Sequence, residues 1–450
     1  MITARALAGK RYAVLGLARS GAATVEALLA SGAEVVAWDE RAEARAPFMG
    51  RAQLADPLGV DLTAFDGMVV SPGVPLNRHL ITSHAAKFGV PVIGDIELFA
   101  LARPELPPHK VVGITGTNGK STTTVLVHHI LSTAGVPTTM GGNIGLPILA
   151  QEPLPEGGVY VLELSSFQID LTYSLDCDVA VLLNITPDHL DRYDSFAAYA
   201  AAKARLFAMQ SVNRHAIVGL NDDPSAAIAA KLSARGEDLT KIAPGFCMDQ
   251  SRWPALQGPH NAQNVLAAVA VCRTLSVAEA DIDRGLETFT GLPHRMEIVG
   301  THNGVLFVND SKATNQASAA PALAAYPRVH GEPRIHWIVG GQAKEPGLHE
   351  LADWTGHVAV AYTIGEAGAM FADLLAGRTA VERCETLETA VRRAAAAARE
   401  GDVVLLSPAC ASFDQFRDFE ERGDMFRRSV AQATGGKLSA SGTLTGSDAA

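Results

Sequence analysis

The sequence predicts an α/β protein of three domains built on parallel sheets, and three observations carry that prediction. The length, 450 residues, exceeds what one hydrophobic core accommodates. Residues 11–40 and 111–131 each read as an apolar strand, a glycine turn and a helix. From Val305 to Leu406 short apolar runs alternate with helical stretches, the pattern of a sheet with crossover helices.

The first element, Arg11 to Glu40, is a βαβ unit whose second strand ends at Asp39. Its turn carries Gly16, Ala18 and Gly21. Alanine at the middle position hinders the close backbone approach that a dinucleotide pyrophosphate needs, which weakens a nicotinamide-cofactor reading. An acid placed like Asp39 either binds a ribose or base or is simply solvated. Strands are expected at Gly67 to Val70 and Val90 to Ile93. The rigid turn Ser71-Pro72-Gly73-Val74-Pro75 follows the first of them, and the Pro-rich stretch Arg103 to His109 marks a first boundary.

The next segment, VVGITGTNGKSTTT from Val111 to Thr124, is the strand, glycine loop and helix of a phosphate cradle. Gly116 and Gly119 let backbone amides face an anion, Lys120 reaches terminal phosphates, and the Ser121 hydroxyl suits Mg2+. The strict pattern wants glycine where Ile114 stands, and Gly113 comes one residue early. A further glycine-dense turn runs from Gly141 to Gly145 and contains Asn143. Two more strands end in chemistry: Val159 to Leu164 carries Glu163 ahead of Ser165 and Gln168, and Val179 to Leu183 leads into Asn184-Ile185-Thr186-Pro187-Asp188-His189-Leu190-Asp191-Arg192-Tyr193. In a parallel sheet these ends share an edge with the phosphate loop, where carboxylate and imidazole meet nucleotide phosphates and Mg2+. A loop histidine is often solvated; the strand-end position favours ligation or substrate contact for His189.

Ser195 is placed to cap a helix from Phe196 to Met209, in which Lys203 reads by itself as a surface lysine. Asn221 to Pro224 reads as a turn, and Asn261 and Asn264 open an apolar helix from Val265 to Leu275. Gly291 to Glu297 reads as a linker. Beyond it, strand ends gather polar residues at Asn309-Asp310-Ser311-Lys312, Gly340 to Lys344 and Ser407 to Asp414. Two lysines at such ends, Lys312 and Lys344, suit a small carboxylate substrate. The helix from Leu387 to Glu400 is expected to stop at Gly401.

Composition narrows the function class. An apolar fraction of 48% with 19% charged residues fits a soluble enzyme, and no apolar run reaches a membrane span. The N-terminus shows no cleavable signal pattern, so the cytoplasm is the expected compartment. Five scattered cysteines, Cys177, Cys247, Cys272, Cys384 and Cys410, have neither disulfide nor zinc spacing and read as buried thiols. A formal charge of −11 argues against a nucleic-acid surface, so anionic ligands fall to a few local cations such as Lys120 and Arg295.

The ordered set TGTNGKST, ELSSFQ, NITPDHLDRY, HNxxN, LPHRME and NDSKATN resembles the Mur ligases of peptidoglycan synthesis, and SPGVP, GDIEL and LLSPACASFDQF resemble the branch that adds D-glutamate. The resemblance implies a Rossmann-like UDP-binding domain over 1–98, a central P-loop ATPase over 99–296, a Rossmann-like amino-acid domain over 297–434 and a disordered tail over 435–450. It implies a monomer that uses ATP and Mg2+ to join D-glutamate to UDP-N-acetylmuramoyl-L-alanine through an acyl phosphate. It places ATP on Gly116, Thr117, Asn118, Gly119, Lys120, Ser121, Thr122, Asn264, Arg295 and Asp310. Metal would sit on Ser121, Glu163, His189 and Lys203, the lysine carbamylated, with Lys120, His189 and Lys203 catalytic. The uridine diphosphate falls to Arg19, Ser20 and Asp39, the muramoyl part to Asn143, Ser165, Gln168 and His189, and D-glutamate to Thr314, Lys344, Ser412 and Phe419. The loop Gly341-Gln342-Ala343-Lys344 departs from the family's GGDGK form. Rival readings are another Mur or folylpolyglutamate-type amide ligase, which the SPGVP and DSKATN segments disfavour; an NAD-dependent oxidoreductase built on the Gly16 turn, which leaves the phosphate loop and the metal-type strand ends unexplained; and a P-loop motor or switch, which ATP turnover indifferent to D-glutamate would favour.

Overall fold

The computed structural model describes residues 1–243 and 248–439, with backbone alone at 260 and 350. The chain divides into two compact units, residues 1–244 with 263–286, and residues 245–262 with 287–450. The first unit holds two sheets and the second holds one.

In the first sheet, β1 (Arg11–Leu15), β2 (Glu34–Trp38), β3 (Gln53–Leu54), β4 (Gly67–Val70) and β5 (Val92–Ile93) lie in the order β3-β2-β1-β4-β5, all parallel. The helix Arg19–Ala30 follows β1 across a turn so tight that a Cβ on Gly21 would lie 1.8 Å from the Gly16 carbonyl oxygen. That contact is with backbone, so no side-chain shift relieves it. The second sheet contains β6 (His109–Thr115), β7 (Thr138–Gly142), β8 (Gly158–Glu163), β9 (Val179–Leu182), β10 (His215–Gly219) and β11 (Asp238–Ile242), again all parallel, in the order β11-β10-β9-β6-β8-β7. One apolar cluster runs from Val14 and Leu28 through Phe99 to Leu162 and Leu182, so both sheets share a core. Gly113, the glycine out of place in the phosphate-loop pattern, serves that core: a Cβ there would lie 2.7 Å from Cys177 Sγ.

The second unit's sheet contains β12 (Glu297–His302), β13 (Val305–Asn309), β14 (Ile335–Gly340), β15 (Val358–Ile364), β16 (Ala380–Glu385) and β17 (Val403–Leu406), in the order β12-β13-β17-β14-β15-β16. Residues of β14 alternate between two apolar clusters, Ile335, Trp337 and Val339 on one face and Ile338 on the other, as a strand covered on both faces requires.

Several expectations give way here. Glu297, the last residue of the expected linker, instead opens a strand that the sequence did not show, β12, an antiparallel edge strand on β13, and residues 438–439 run against it, with Ser439 paired to Thr301. Residues 440–450, most of the predicted tail, lie outside the described residues, as does Cys247. The other four cysteines are buried free thiols. Asp222 is a helix cap, not a turn residue: its side chain accepts from Ser225 N–H and opens the helix Asp223–Ala234, with Pro224 in the first turn, where its missing N–H costs nothing. The helix from Leu387 ends at Ala397, and Gly401 (φ +90°) donates instead to the Gly304 carbonyl.

Gly21→Ala is expected to destabilise the protein by about 1–3 kcal/mol through forced separation of the helix from the turn. A denaturant midpoint equal to that of the wild type would show that the turn yields freely.

Candidate active site

The parallel pairing of β6 with β8 on one side and β9 on the other sets the phosphate loop at one edge with two further strand ends. Ile114 is in register with Glu163, and Thr115 with Leu182. The loop after β9 is tied directly to the glycine loop. Asn184 O accepts from Thr117 N–H at 2.8 Å, Asn184 Oδ1 accepts from Asn118 N–H at 2.9 Å, and Thr117 Oγ1 donates to Thr186 O at 3.1 Å. Gly119, at φ +85°, precedes the helix Lys120–Thr133, and a Cβ there would lie 2.3 Å from Asn264 Oδ1, so Asn264 packs on the loop itself. Ser121 is buried in the helix's first turn, beside Thr122.

Two lysines meet one carbonyl. Gly116 O accepts from Lys120 Nζ at 2.8 Å and from Lys203 Nζ at 2.9 Å. Lys203 is therefore no surface residue: it is 1% exposed, and its ammonium sits 4.6 Å from the Tyr199 ring centroid. Its alanine-rich helix gave no sign of this, because burial is set by the sheet edge it faces. Burial, joined by repulsion from Lys120, drives the Lys203 pKa well below the ordinary lysine value despite Asp188 and Asp170.

Glu163, 2% exposed, accepts from Asn143 Nδ2 through Oε1 at 2.9 Å. Among the described residues no partner reaches its Oε2, an orphan that a divalent cation would satisfy. His189 adopts φ +54°, with Nε2 3.5 Å from Asp188 Oδ2 and its ring 5.0 Å from that of Phe167. Among the described residues no three His, Cys, Asp or Glu side chains form a metal cage, so any ion here needs hydroxyl, water or modified-lysine oxygens as well.

A cleft of about 420 Å³ opens on the same unit, lined by Ser20, Asp39, Gly73, Asn143 and Gln168 together with Arg19. Arg19 Nη2 donates to Gly145 O at 2.9 Å. Burial raises the Asp39 pKa, but hydrogen bonds from the Arg41 side chain and from the Leu17 and Arg41 N–H groups prevail and hold it at about 2. Asp39 is thus a fixed anion at the strand end. Ser165 and Gln168 form a capping box on the helix Ser166–Asp170, which fixes the rotamer of Gln168.

The second unit carries its own strand-end cluster. Buried Asp310 accepts from Ser407 Oγ at 2.8 Å and from Met296 N–H at 3.2 Å; burial lifts its pKa to about 7 against these bonds and against Arg295 and Arg422. Arg422, unmarked in the sequence reading, is 1% exposed and donates to Ser311 O at 2.8 Å, Cys410 O at 3.0 Å and Ala411 O at 3.3 Å. It thereby holds the segments of Ser412 and Thr314 near the start of the helix Phe419–Ala433. Burial lowers its guanidinium to about 10. Gln342 pairs with Ala411, which brings the loop of exposed Lys344 beside Ser412, and Lys312 Nζ lies 3.7 Å from the Phe419 ring centroid. A helical arginine so far along the chain looks like any solvated charge until the carbonyls it binds are placed.

Comparison with known proteins supplies the family. The family description "Mur ligase middle domain" matches residues 114–246 and "Mur ligase, glutamate ligase domain" matches residues 294–410. The UDP-N-acetylmuramoylalanine--D-glutamate ligase of Novosphingobium aromaticivorans is 63% identical over 432 residues, covering 96% of each chain. The chain belongs to the Mur ligase family. The similarly named family member of Zymomonas mobilis is 53% identical, covering 96% of this chain and 99% of its own. Among solved structures, the UDP-N-acetylmuramate-alanine ligase MurC from Thermotoga maritima superposes with a TM-score of 0.57 at 18% identity, over 94% of this chain and 99% of its own, which shows the shared fold. Among the described residues no helix is long and apolar enough to cross a membrane.

Because the Asp310 pKa is raised in the folded state, its stabilising contribution is whole below about pH 4 and is lost as pH rises through about 7. Asp310→Asn is therefore expected to gain on the wild type by roughly 2–4 kcal/mol between pH 4 and pH 8. Parallel pH dependence of the two chains in urea denaturation would contradict the raised pKa.

Proposed function

We propose that the chain joins D-glutamate to UDP-N-acetylmuramoyl-L-alanine with cleavage of ATP. The observation that carries this reading is the meeting, on one sheet edge, of a phosphate loop, an orphaned carboxylate oxygen on Glu163 and the buried Lys203 amine, in a chain 63% identical to a D-glutamate ligase. An alanyl carboxylate oxygen attacks the γ-phosphorus of ATP, the bond to the bridging oxygen breaks, and ADP leaves. The D-glutamate amine then attacks the acyl phosphate carbon, phosphate departs with the C–O electron pair, and the nitrogen loses its proton. Such chemistry rests on positioning and on cations beside developing negative charge.

In this reading the glycine loop from Gly116 to Thr122 cradles the phosphates. Lys120 turns from its own loop carbonyls to the β/γ-phosphates, and Asn264, Arg295 and Asp310 contact the nucleotide. Glu163 and Ser121 fit Mg2+, and His189 with Lys203 fits a second ion only once the lysine is carbamylated. The lowered Lys203 pKa supports that step, because a neutral amine attacks CO2 and releases one proton to become a carbamate. Bound there, Mg2+ would supply charge neutralisation at the phosphate oxygens. The cleft beside Asp39 takes the uridine diphosphate, with Asn143, Ser165, Gln168 and His189 toward the muramoyl group. Thr314, Lys344, Ser412 and Phe419 hold D-glutamate. The reading includes three domains with Rossmann-like outer ones, a monomer and a cytoplasmic location.

Phosphate release from ATP is expected to require both UDP-N-acetylmuramoyl-L-alanine and D-glutamate, and to ignore L-glutamate, L-lysine and meso-diaminopimelate. The product should be heavier by one glutamyl residue. Glu163→Gln should lower kcat by roughly 100-fold, and release that continues without D-glutamate would refute the reading.

A further inference from the structure

We infer that Arg192 is a positioning residue that fastens the cleft wall Pro72-Gly73-Val74 to the loop carrying His189. The inference rests on the reading of that cleft as the sugar-nucleotide site. Arg192 Nη2 donates to the Val74 carbonyl at 3.0 Å and to the Pro72 carbonyl at 3.4 Å. Its guanidinium lies 4.1 Å from the centroid of the Phe167 ring. Pro72, Gly73 and Val74 all line the cleft.

The fastening is doubled by a neighbour and extended by the aromatic rings behind it. Asn77, on the same turn segment, donates through Nδ2 to the Asp191 carbonyl at 2.9 Å. Phe167 stacks on Tyr193 with centroids 5.9 Å apart and an interplanar angle of 11°, and it also meets the His189 ring. Tyr193 Oη donates to Asp170 Oδ2 at 2.7 Å. One planar cation thus touches the cleft wall on one side and the ring that packs against His189 on the other.

Physical need accompanies the geometry. Neither the turn after β4 nor the loop after β9 belongs to a sheet or a long helix, and His189 holds a left-handed backbone conformation that persists only where its surroundings over-determine it. The start of the loop is pinned to the glycine loop through Asn184 and Thr186. Its far end is held by Arg192, Tyr193 and the Asn77 bond. Loosening that end disturbs the sugar-nucleotide side while leaving the phosphate cradle tied. Arginine suits the task because its guanidinium stacks and donates together, whereas a lysine ammonium gives a point charge without the plane.

The test compares the full-length wild type with Arg192→Met, Arg192→Lys and Asn77→Ala. It uses steady-state kinetics for each substrate and calorimetric titration of UDP-N-acetylmuramoyl-L-alanine without ATP. For Arg192→Met, the KM and the Kd for the sugar nucleotide should rise about tenfold and kcat should fall, while the ATP KM stays within about twofold. Arg192→Lys should recover little. Asn77→Ala, at an exposed position that folding tolerates, should raise the sugar-nucleotide Kd about threefold and add less than that in the Arg192→Met background. Sugar-nucleotide binding within about twofold of wild type in Arg192→Met, or in Asn77→Ala should Arg192→Met not fold, overturns the inference. An equal rise in the ATP KM, or full recovery by lysine, also overturns it. A wild type that forms no product refutes the proposed reaction, and the calorimetric comparison then still decides the role of Arg192.

Discussion

The parallel pairing of β6 with β8 and β9 is the constraint on which the first unit's chemistry depends. Parallel neighbours point their carboxyl ends the same way, so a glycine loop, a strand-end glutamate and the loop of His189 are delivered to one edge. The backbone bonds from Thr117 and Asn118 to Asn184 then fix two of these loops against each other. Without that pairing, residues tens of positions apart in the chain would have no reason to converge.

Electrostatics follow from this convergence. The chain carries a formal charge of −11 yet concentrates two lysines on the Gly116 carbonyl, where the Lys120 charge makes the Lys203 proton less welcome. Lys120, at the helix N-terminus, remains partly open, whereas Lys203 is buried and its pKa is lowered chiefly by that desolvation. On the same edge Glu163 keeps one oxygen without a partner among the described residues. Such a set is costly for folding alone, which marks it as a candidate functional site. In the second unit Arg422 solves a different problem, since its guanidinium donates to the Ser311, Cys410 and Ala411 carbonyls in the irregular segments beyond β13 and β17, the last of which also accepts from Gln342 N–H.

Much of this was legible before any coordinates. The strand, glycine loop and helix at 111–131, the Ser195 cap, and the strands ending near Glu163, Asn184 and Asp310 are short-range patterns, and the structure places each within a residue or two. Errors fell where short-range signals compete. Asp222-Asp223-Pro224 has turn composition and also the makings of a capped first turn, and packing chose the helix. Gly401 looked like a stop because of its φ freedom, but the helix had already ended at Ala397. Edge strand β12 was missed because its pairing partner, not its own sequence, makes it a strand.

The sequence by itself determined which residues sit at strand ends and which ordered motifs mark the family, because periodicity, turn chemistry and motif spacing act over a few residues. Only the tertiary structure decided that Lys203 is buried on the glycine loop, that Glu163 retains an open oxygen, and that Arg192 and Arg422 bind carbonyls rather than water. Those facts depend on desolvation and hydrogen bonding by groups far apart in the chain, and a side chain's environment is set by what folds over it rather than by its neighbours in sequence.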